Sequence, residues 1–260
     1  MAIVPAGFAE FRRFYTLTSY QFSGGEVIDF DDILDGDIAG ANAEFSFVFV
    51  VKRDVVGTVQ TFLSKTGDNE YGYKIGFNVQ GQLEVFFFYN VNGTQYIQVT
   101  TQEMYNSMEE WLTITVTYEY GVEAEGRILI YVNGIYQDAI VNEVGGGITA
   151  TIPTTGLSRL QFGHFEGGEF FIGQLNQMAF TNAVMTKNQA ATFYGFGAPG
   201  DAAQIPSVVS AWNAFENNPF ASEIYTVTDN APTSPYNGTS TGLVAESRIQ
   251  SSPYSSNSSI

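Results

Sequence analysis

The sequence has no cysteine and a single histidine, and both shortages restrict its chemistry. Without cysteine there are no disulfides, and no thiolate can act as a nucleophile or a metal ligand. His164 would have to serve in any Ser-His-Asp triad or histidine metal site, and no G-x-S-x-G motif accompanies it. It lies in the run FGHFEGG, which predicts an exposed turn rather than a catalytic position.

Basic residues are scarce as well: 10 Lys and Arg stand against 27 Asp and Glu, a formal charge of −17. A field of this sign repels phosphate backbones and anionic lipids, so we expect neither a nucleic acid nor a membrane as a partner. The longest apolar run, near Phe45–Val51, is far shorter than the ~20 residues that a spanning helix needs. The first residues, MAIVPAGFAEFRRFY, show no secretory signal, so we expect synthesis in the cytoplasm.

Aromatic residues and glycine are plentiful, with 22 Phe, 15 Tyr and 27 Gly in 260 residues. Aromatic and β-branched side chains fit the pleated surface of a strand, and glycine supplies the backbone angles of tight turns. Apolar residues alternate along Glu44–Asp54 and Trp111–Tyr120, as in a half-buried strand. The second stretch turns one set inward and another outward: Leu112, Ile114, Val116 and Tyr118 against Thr113, Thr115 and Thr117. These patterns predict an all-β fold.

Three dipeptides predict tight hairpin turns: Gln80–Gly81, Asn92–Gly93 and Asn133–Gly134. Asn-Gly is the strongest short-range hairpin signal because both residues tolerate positive φ.

The stretch Leu157–Tyr194 combines several local signals. It predicts, in order, a strand, a glycine-rich turn, a longer strand and a short helix: Leu157–Phe162, Gly163–Gly168, Phe170–Phe180 and the residues after Thr186. Thr186 and Gln189 have the spacing of a capping box at the start of the helix, and Gly195 predicts its end.

This order of elements resembles the closing section of the laminin-G-like, or concanavalin A-like, β-sandwich. The run YQFSGGEVIDF resembles that family's opening pair of strands, and GRILIYVNGIYQDAIV resembles one of its hairpins. The resemblance covers about residues 20–197. It implies a concanavalin A-like jelly-roll β-sandwich with one short helix and extended terminal arms.

The resemblance divides the chain into four parts. Residues 1–18 form an N-terminal arm, 19–197 the sandwich, 198–207 a linker and 208–260 a C-terminal arm with a Ser-rich tail. The C-terminal arm resembles the opening of a laminin-G-like domain, with Trp212 and Phe215 at matching positions. A sandwich whose leading strand is displaced has an open edge. We therefore infer that Val208–Phe215 pairs with that edge, in its own subunit or, as in domain swapping, in a neighbour.

Paired carboxylates are the first candidates for catalysis, because the fold hosts glycosidases. Asp29 and Asp31 share one strand face, about 7 Å apart by the rise of a strand. The β-glucanase branch of the fold has three acids in an E-x-D-x-x-E run, and the third is absent here. We therefore expect no enzymatic activity. A glycoside hydrolase or lyase ranks third, after a structural protein and a carbohydrate-binding adhesin.

Calcium is an open cofactor question, since many sandwiches of this family bind one ion at the rim through Asp and Asn oxygens. The candidate rim ligands are Asp54, Asp68, Asn69 and Asn133. Their spacing selects no ligand set, so we assign no metal ligands and no cofactor.

Aromatic side chains at predicted loop tips are candidates for glycan contact, because sugar faces stack on such rings. The candidates are Tyr71, Tyr73, Tyr96 and Phe165. The competing explanation is that tyrosines in a sandwich mostly flank its core and hairpins.

The motifs YGFGAP and NGT after the sandwich also resemble virion proteins of tailed bacteriophages, which are leaderless, cysteine-poor and rich in Asn, Ser and Thr. This resemblance implies a non-enzymatic structural protein of the virion: a capsid decoration, head fibre or tail-associated module. Its partners would be other virion proteins and further copies of itself, through Arg12, Arg13, Trp212 and Phe215. The alternative is a carbohydrate-binding adhesin that recognises a host surface glycan.

Overall fold

The computed structural model describes residues 19–30, 33–34, 43–65, 72–88, 95–120, 124–145, 159–165, 168–213, 226–227, 238–241 and 248–249. These residues form two antiparallel sheets that pack face to face, which confirms the predicted all-β sandwich. Among them, no helix is long and apolar enough to cross a membrane.

The elements follow one another along the chain. The first strands are β1 Ser19–Ser23, β2 Val27–Asp29, β3 Glu44–Arg53, β4 Gln60–Lys65, β5 Gly72–Phe77, β6 Leu83–Phe88, β7 Tyr96–Thr101 and β8 Trp111–Glu119. After helix α1, Ala124–Arg127, come β9 Ile128–Val132, β10 Ile135–Tyr136, β11 Ala139–Val144, β12 Leu160–Phe162 and β13 Ile172–Thr181. Helix α2, Lys187–Tyr194, and a 3₁₀ helix, Ala202–Gln204, precede β14 Val208–Asn213, β15 Thr226–Val227, β16 Gly238–Thr241 and β17 Arg248–Ile249.

Sheet I has the strand order β10-β9-β8-β3-β13-β1-β17, and β14 also pairs with β13. Sheet II has the order β11-β7-β6-β5-β4-β12-β2-β16-β15. The last strands of the chain therefore extend both sheets, β16 beside β2 and β17 beside β1.

The core between the sheets is built from the alternating positions. Phe45, Phe47, Phe49 and Val51 are at most 2% exposed, as their period of two predicts. Phe45 stacks on Tyr118 of the neighbouring strand with ring centroids 4.9 Å apart. Aromatic contacts of this kind add to the stabilisation that burial of apolar area provides.

The outer face of sheet I is covered rather than solvated. Val48 and Val50 point away from the main core and are buried with α2 and the 3₁₀ helix, which contribute Phe193 and Ala202. Thr113 and Thr115, predicted to face outward, lie directly opposite Val50 and Val48 and are buried on this covered face. Residues 198–207, which the sequence suggested were a linker, thus carry a 3₁₀ helix packed on the sheet.

The strand β14 pairs with β13 of its own chain, from Gln177 opposite Asn213 to Thr181 opposite Val208. Trp212 enters the main core at 2% exposure, with its ring 4.5 Å from that of Phe30. Trp212 is therefore not available as an assembly contact, because its own chain buries it. The other predicted assembly contacts, Arg12, Arg13 and Phe215, lie outside the described residues.

Local turn and cap chemistry agrees with the sequence. Thr186 and Gln189 form the capping box of α2, and Gly195 ends the helix in the left-handed conformation. Asn133 and Gly134 both have positive φ, 52° and 73°, as a tight hairpin between β9 and β10 requires. The predicted turn at Asn92–Gly93 lies outside the described residues.

Candidate functional site

The outer face of sheet II carries a continuous row of side chains. Seven positions are directly paired from strand to strand, in the order Asp29, Gln161, Ser64, Lys74, Phe86, Gln98 and Asn142. Because side chains alternate along each strand, all of them project to the same side of the sheet. The row therefore has a carboxylate, Asp29, at its β2 end, the cation of Lys74 and the ring of Phe86 near its middle, and the amides of Gln98 and Asn142 at its β11 end.

Three aromatic rings form a cluster on this face: Phe86, Phe88 and Tyr96. Phe86 and Phe88 are nearly parallel, with centroids 5.8 Å apart and planes at 10°. Tyr96 lies 5.7 Å from Phe86 and 6.0 Å from Phe88, and all three side chains are partly exposed. Opposite Phe88 on β5 is Gly72, so no side chain from that position covers the ring. We refer to these three rings as the aromatic cluster.

Lys74 lies at the centre of the face, directly across from Phe86. Its ammonium is 4.9 Å from the Phe86 ring centroid and 4.5 Å from that of Phe165. The same ammonium lies 2.9 Å and 3.1 Å from the two carboxylate oxygens of Glu169. Cation–π contacts and the ion pair together hold the Lys74 side chain in one position, with only 14% of it exposed.

The segment from Gly163 to Phe170 brings Phe165 and Glu169 onto the face. Gly163 has φ of 96°, and a Cβ there would lie 2.8 Å from both the Glu26 carbonyl oxygen and the Phe22 ring, so only glycine fits. The His164 carbonyl accepts a hydrogen bond of 2.7 Å from Ser64 Oγ. Thr61 Oγ1 donates to Glu169 Oε2 over the same distance. Both ends of the segment are therefore fixed to β4.

The structure brings together only part of the predicted glycan set. Tyr96 and Phe165 both lie on the outer face of sheet II, on either side of Lys74. Tyr73 cannot contact a glycan, because it points into the core and is 0% exposed. Tyr71 lies outside the described residues.

Phe86, Phe88 and Lys74 were not singled out from the sequence, although the signal was present. In QLEVFFFYN, Leu83, Val85 and Phe87 occupy alternate positions and fill the core. The period of a strand then turns the residues between them outward. Applied to this hairpin, the same alternation that predicts β8 predicts Phe86 and Phe88 on the surface.

The candidate catalytic residues serve as structural contacts. Asp29 Oδ2 accepts a 2.7 Å hydrogen bond from Arg159, and Gln161 Nε2 lies 3.4 Å from the same oxygen. Its predicted partner, Asp31, lies outside the described residues. His164 Nδ1 is 3.4 Å from Gln161 Oε1, and its ring centroid is 5.0 Å from that of Phe170.

The two described calcium candidates, Asp54 and Asn133, make hydrogen bonds within the fold. Asp54 accepts hydrogen bonds from Gln21, at 2.7 Å, and Gln174, at 3.4 Å. The Asn133 Oδ1 atom accepts one of 2.9 Å from the Thr113 N–H. Their oxygens are thus used within the fold, and within the described ranges no three His, Asp or Glu residues are grouped as a metal site would need. Asp68 and Asn69 lie outside those ranges.

A separate open cleft of about 510 Å³ lies beside the β9–β10 hairpin, lined by Gln102, Glu103, Tyr105, Val132, Asn133, Ile135, Tyr136, Gln137 and Asp138. The Tyr105 hydroxyl donates to Gln137 Oε1 at 2.7 Å. Burial and the carboxylates of Glu103 and Glu110 raise the pKa of Tyr105 well above its usual range. The Tyr105 hydroxyl of this cleft is therefore already used within the protein.

Residues 24–191 match the Laminin_G_3 family model, described as the concanavalin A-like lectin/glucanases superfamily. The chain belongs to the concanavalin A-like lectin/glucanases superfamily. This match spans most of both sheets, from the β1–β2 turn to α2. It includes every residue of the aromatic cluster, together with Lys74, Phe165 and Glu169.

Solved structures share this superfamily fold at low identity. A "putative carbohydrate binding protein" from Bacteroides ovatus is 15% identical at a TM-score of 0.57, over 87% of this chain and 58% of that one. The CBM40 of the Ruminococcus gnavus IT-sialidase, bound to α2,3-sialyllactose, is 12% identical at a TM-score of 0.50, over 66% and 94%. Such likenesses show the fold alone. No curated protein sequence matches the chain.

Proposed function

We propose that this protein binds carbohydrate, without cleaving it, through the outer face of sheet II. The observation that carries the proposal is the aromatic cluster of Phe86, Phe88 and Tyr96, which is partly exposed on the outer face of sheet II. The apolar face of a sugar ring packs on such side chains, whereas an aqueous surface gains nothing from exposing them.

Polar groups beside the rings supply the hydrogen bonds that sugar hydroxyls need. Gln98 lies next to Phe86 in the row, and Asn142 follows it on β11. The Gln98 amide is oriented by Glu84 Oε1, 3.0 Å from Nε2, and by Asn142 Nδ2, 3.4 Å from Oε1. A small number of oriented polar groups beside apolar rings is the usual composition of a ligand site.

The residues of the site belong to β-strands or are fixed to them, so the site is rigid before a ligand binds. Phe86, Phe88 and Tyr96 belong to the adjacent strands β6 and β7, and Phe165 is held against Lys74 by a segment fixed to β4. Few side chains would have to be ordered on binding, which lowers the entropic cost of association. The carbohydrate-binding structures of the same fold support this proposal without identifying a sugar.

A role in a bacteriophage virion stays a prediction, and within it the adhesin role is the one this face supports. The prediction of a structural virion protein came from the resemblance of the motifs YGFGAP and NGT, the lack of cysteine and the displaced opening strand, which could pair in its own subunit or in a neighbour. Here β14 pairs with β13 of its own chain and Trp212 is buried. Sedimentation measurements test whether copies associate by another surface, and imaging of assembled particles tests the virion role itself.

A glycan array with the purified protein tests the proposed function. We expect binding to a limited set of glycans, and chromatography of the bound glycans after long incubation should show them intact. Absence of binding to any glycan would contradict carbohydrate binding. Shortened products would instead support the hydrolase or lyase alternative.

A further inference from the structure

We infer that the glycan bound on this face is neutral, and that glycans ending in a carboxylate, such as sialic or uronic acids, bind more weakly. The inference rests on the proposed function and adds the class of ligand. It follows from how the charges around the aromatic cluster are used.

The one cation at an outward position of the described strands β4 to β7 is Lys74. Its ammonium is paired with Glu169 at 2.9 Å and lies between the rings of Phe86 and Phe165. A ligand carboxylate would have to displace Glu169, which is itself bonded to Thr61. Exchanging one carboxylate for another gains little free energy, because the charge of Lys74 is already compensated.

Lys65, the other lysine of these strands, cannot take the place of Lys74. It is paired in register with Tyr73, points to the core side and is 0% exposed. Its ammonium donates to the Ile33 carbonyl at 2.5 Å. A ligand on the outer face therefore does not meet this charge.

Carboxylates outnumber cations next to the rings. On β6, Glu84 is the outward residue two positions before Phe86. Glu169 is paired with Lys74, which lies across from Phe86. Among the described side chains, Glu84 and Glu169 against Lys74 leave a net charge of about −1 beside the rings, in a chain whose formal charge is −17. An approaching anionic sugar meets repulsion, whereas a neutral sugar does not.

Arg159 is exposed, with 60% of its side chain accessible, but it lies at the far end of the row. It directly precedes β12, which is three strands from Phe86, about 14 Å at 4.8 Å per strand, and its charge is paired with that of Asp29. That distance exceeds the Debye length at physiological salt, about 8 Å. Arg159 therefore does not offset the negative charge beside the rings.

The remaining polar groups suit hydroxyls rather than a carboxylate. Gln98, Thr100 and Asn142 are uncharged and lie beside or one position from the aromatic cluster. Amides and hydroxyls both donate and accept hydrogen bonds, as sugar hydroxyls do.

Calorimetry with matched pairs of glycans tests the inference. The probes are lactose against α2,3-sialyllactose, xylotetraose against the same chain bearing a glucuronic acid branch, and every such pair found on the array. We expect the neutral member to bind at least about tenfold more tightly. A carboxylated member that binds as tightly as its neutral partner would overturn the inference and leave carbohydrate binding intact. Binding of no glycan at all would refute the proposed function and the inference together.

Glu169→Gln tests the physical reason, because it frees the Lys74 ammonium while keeping the shape of the side chain. We expect the affinity ratio of carboxylated to neutral glycan to rise at least about fivefold. The control is Glu103→Gln, which removes one exposed negative charge on the β7–β8 connection; it should leave the ratio unchanged. An unchanged ratio in Glu169→Gln, with a thermal melt like that of the wild type, would overturn the explanation.

Discussion

Lys74 and Glu169 are 95 residues apart in the sequence, and the ammonium of one lies 2.9 Å from the carboxylate of the other. This ion pair joins β5 to the segment that carries Phe165. It therefore fixes the position of a charged group on the face that we propose binds a glycan.

Lys74→Met removes the charge and keeps most of the apolar stem. Loss of a partly exposed ion pair and two cation–π contacts should lower the free energy of unfolding by about 1 kcal/mol, measured by urea denaturation. Glycan affinity should also fall, because Phe165 loses the group that it packs on. Lys52→Met is the matched control, since Lys52 is a partly exposed lysine on sheet I. Equal effects of the two substitutions would contradict the role given to Lys74.

Trp212→Ala tests whether the C-terminal strand is part of the sandwich of its own chain. Truncation of a buried tryptophan leaves a cavity, so we expect a loss of about 3–5 kcal/mol of unfolding free energy by chemical denaturation. Phe196→Ala is the control, because Phe196 is 94% exposed and its truncation should change stability little. A Trp212→Ala variant as stable as the wild type would mean that β14 does not pack as described.

Gly134→Ala should destabilise the protein by about 1–3 kcal/mol, measured by thermal or chemical denaturation. Gly134 has φ of 73°, and a Cβ there would lie 2.7 Å from Ala191 Cα in helix α2. The control is Gly25→Ala, where an added Cβ meets nothing within 4 Å. A comparable loss in both variants would show that the hairpin and helix are not in contact.

Asp201→Asn should change stability in a pH-dependent way. Burial raises the pKa of Asp201 from its ordinary value of 3.8, although its carboxylate accepts a hydrogen bond from the Ala203 N–H. Because the pKa is higher in the folded state, protonation of Asp201 favours folding. This contribution to the free energy of unfolding is complete below pH 3.8 and is lost as the pH rises through the folded-state pKa. Asparagine keeps the cap and carries no charge, so the variant should gain on the wild type between pH 3 and pH 7.

Denaturation at several pH values measures this difference. Asp138→Asn, which removes an exposed carboxylate, controls for the loss of one negative charge. A difference for Asp201→Asn that stays constant with pH, or shrinks as the pH rises, would contradict the assignment.

Local patterns predicted much of the fold because they depend on neighbouring residues. The alternation of β3, the capping box of α2 and the Asn133–Gly134 turn all express chemistry within a few positions. The covering of sheet I by residues 198–207 could not be predicted, because short side chains such as Ala202 and Ala203 carry no periodic signal.

The site was predicted only in part for the same reason. The row from Asp29 to Asn142 depends on the register of strands far apart in sequence, such as Gln161 opposite Ser64. Tyr73 was assigned to a loop tip. On β5, however, Tyr73 and Ile75 face the core, and Lys74 between them faces outward. Phe86 and Phe88 were not singled out from the sequence, although the alternation along β6 indicates their outward position. The contact of Lys74 with Phe165 could be found only in the tertiary structure.

The most direct test of carbohydrate binding on sheet II is calorimetry with the strongest glycan from the array and the double variant Phe86→Ala, Phe88→Ala. The matched control is Tyr136→Ala, which removes a ring that is 42% exposed on sheet I. We expect the double variant to lose at least about tenfold in affinity, equivalent to ~1.4 kcal/mol, while the control keeps the wild-type value. Wild-type affinity in a folded double variant would contradict binding at this face.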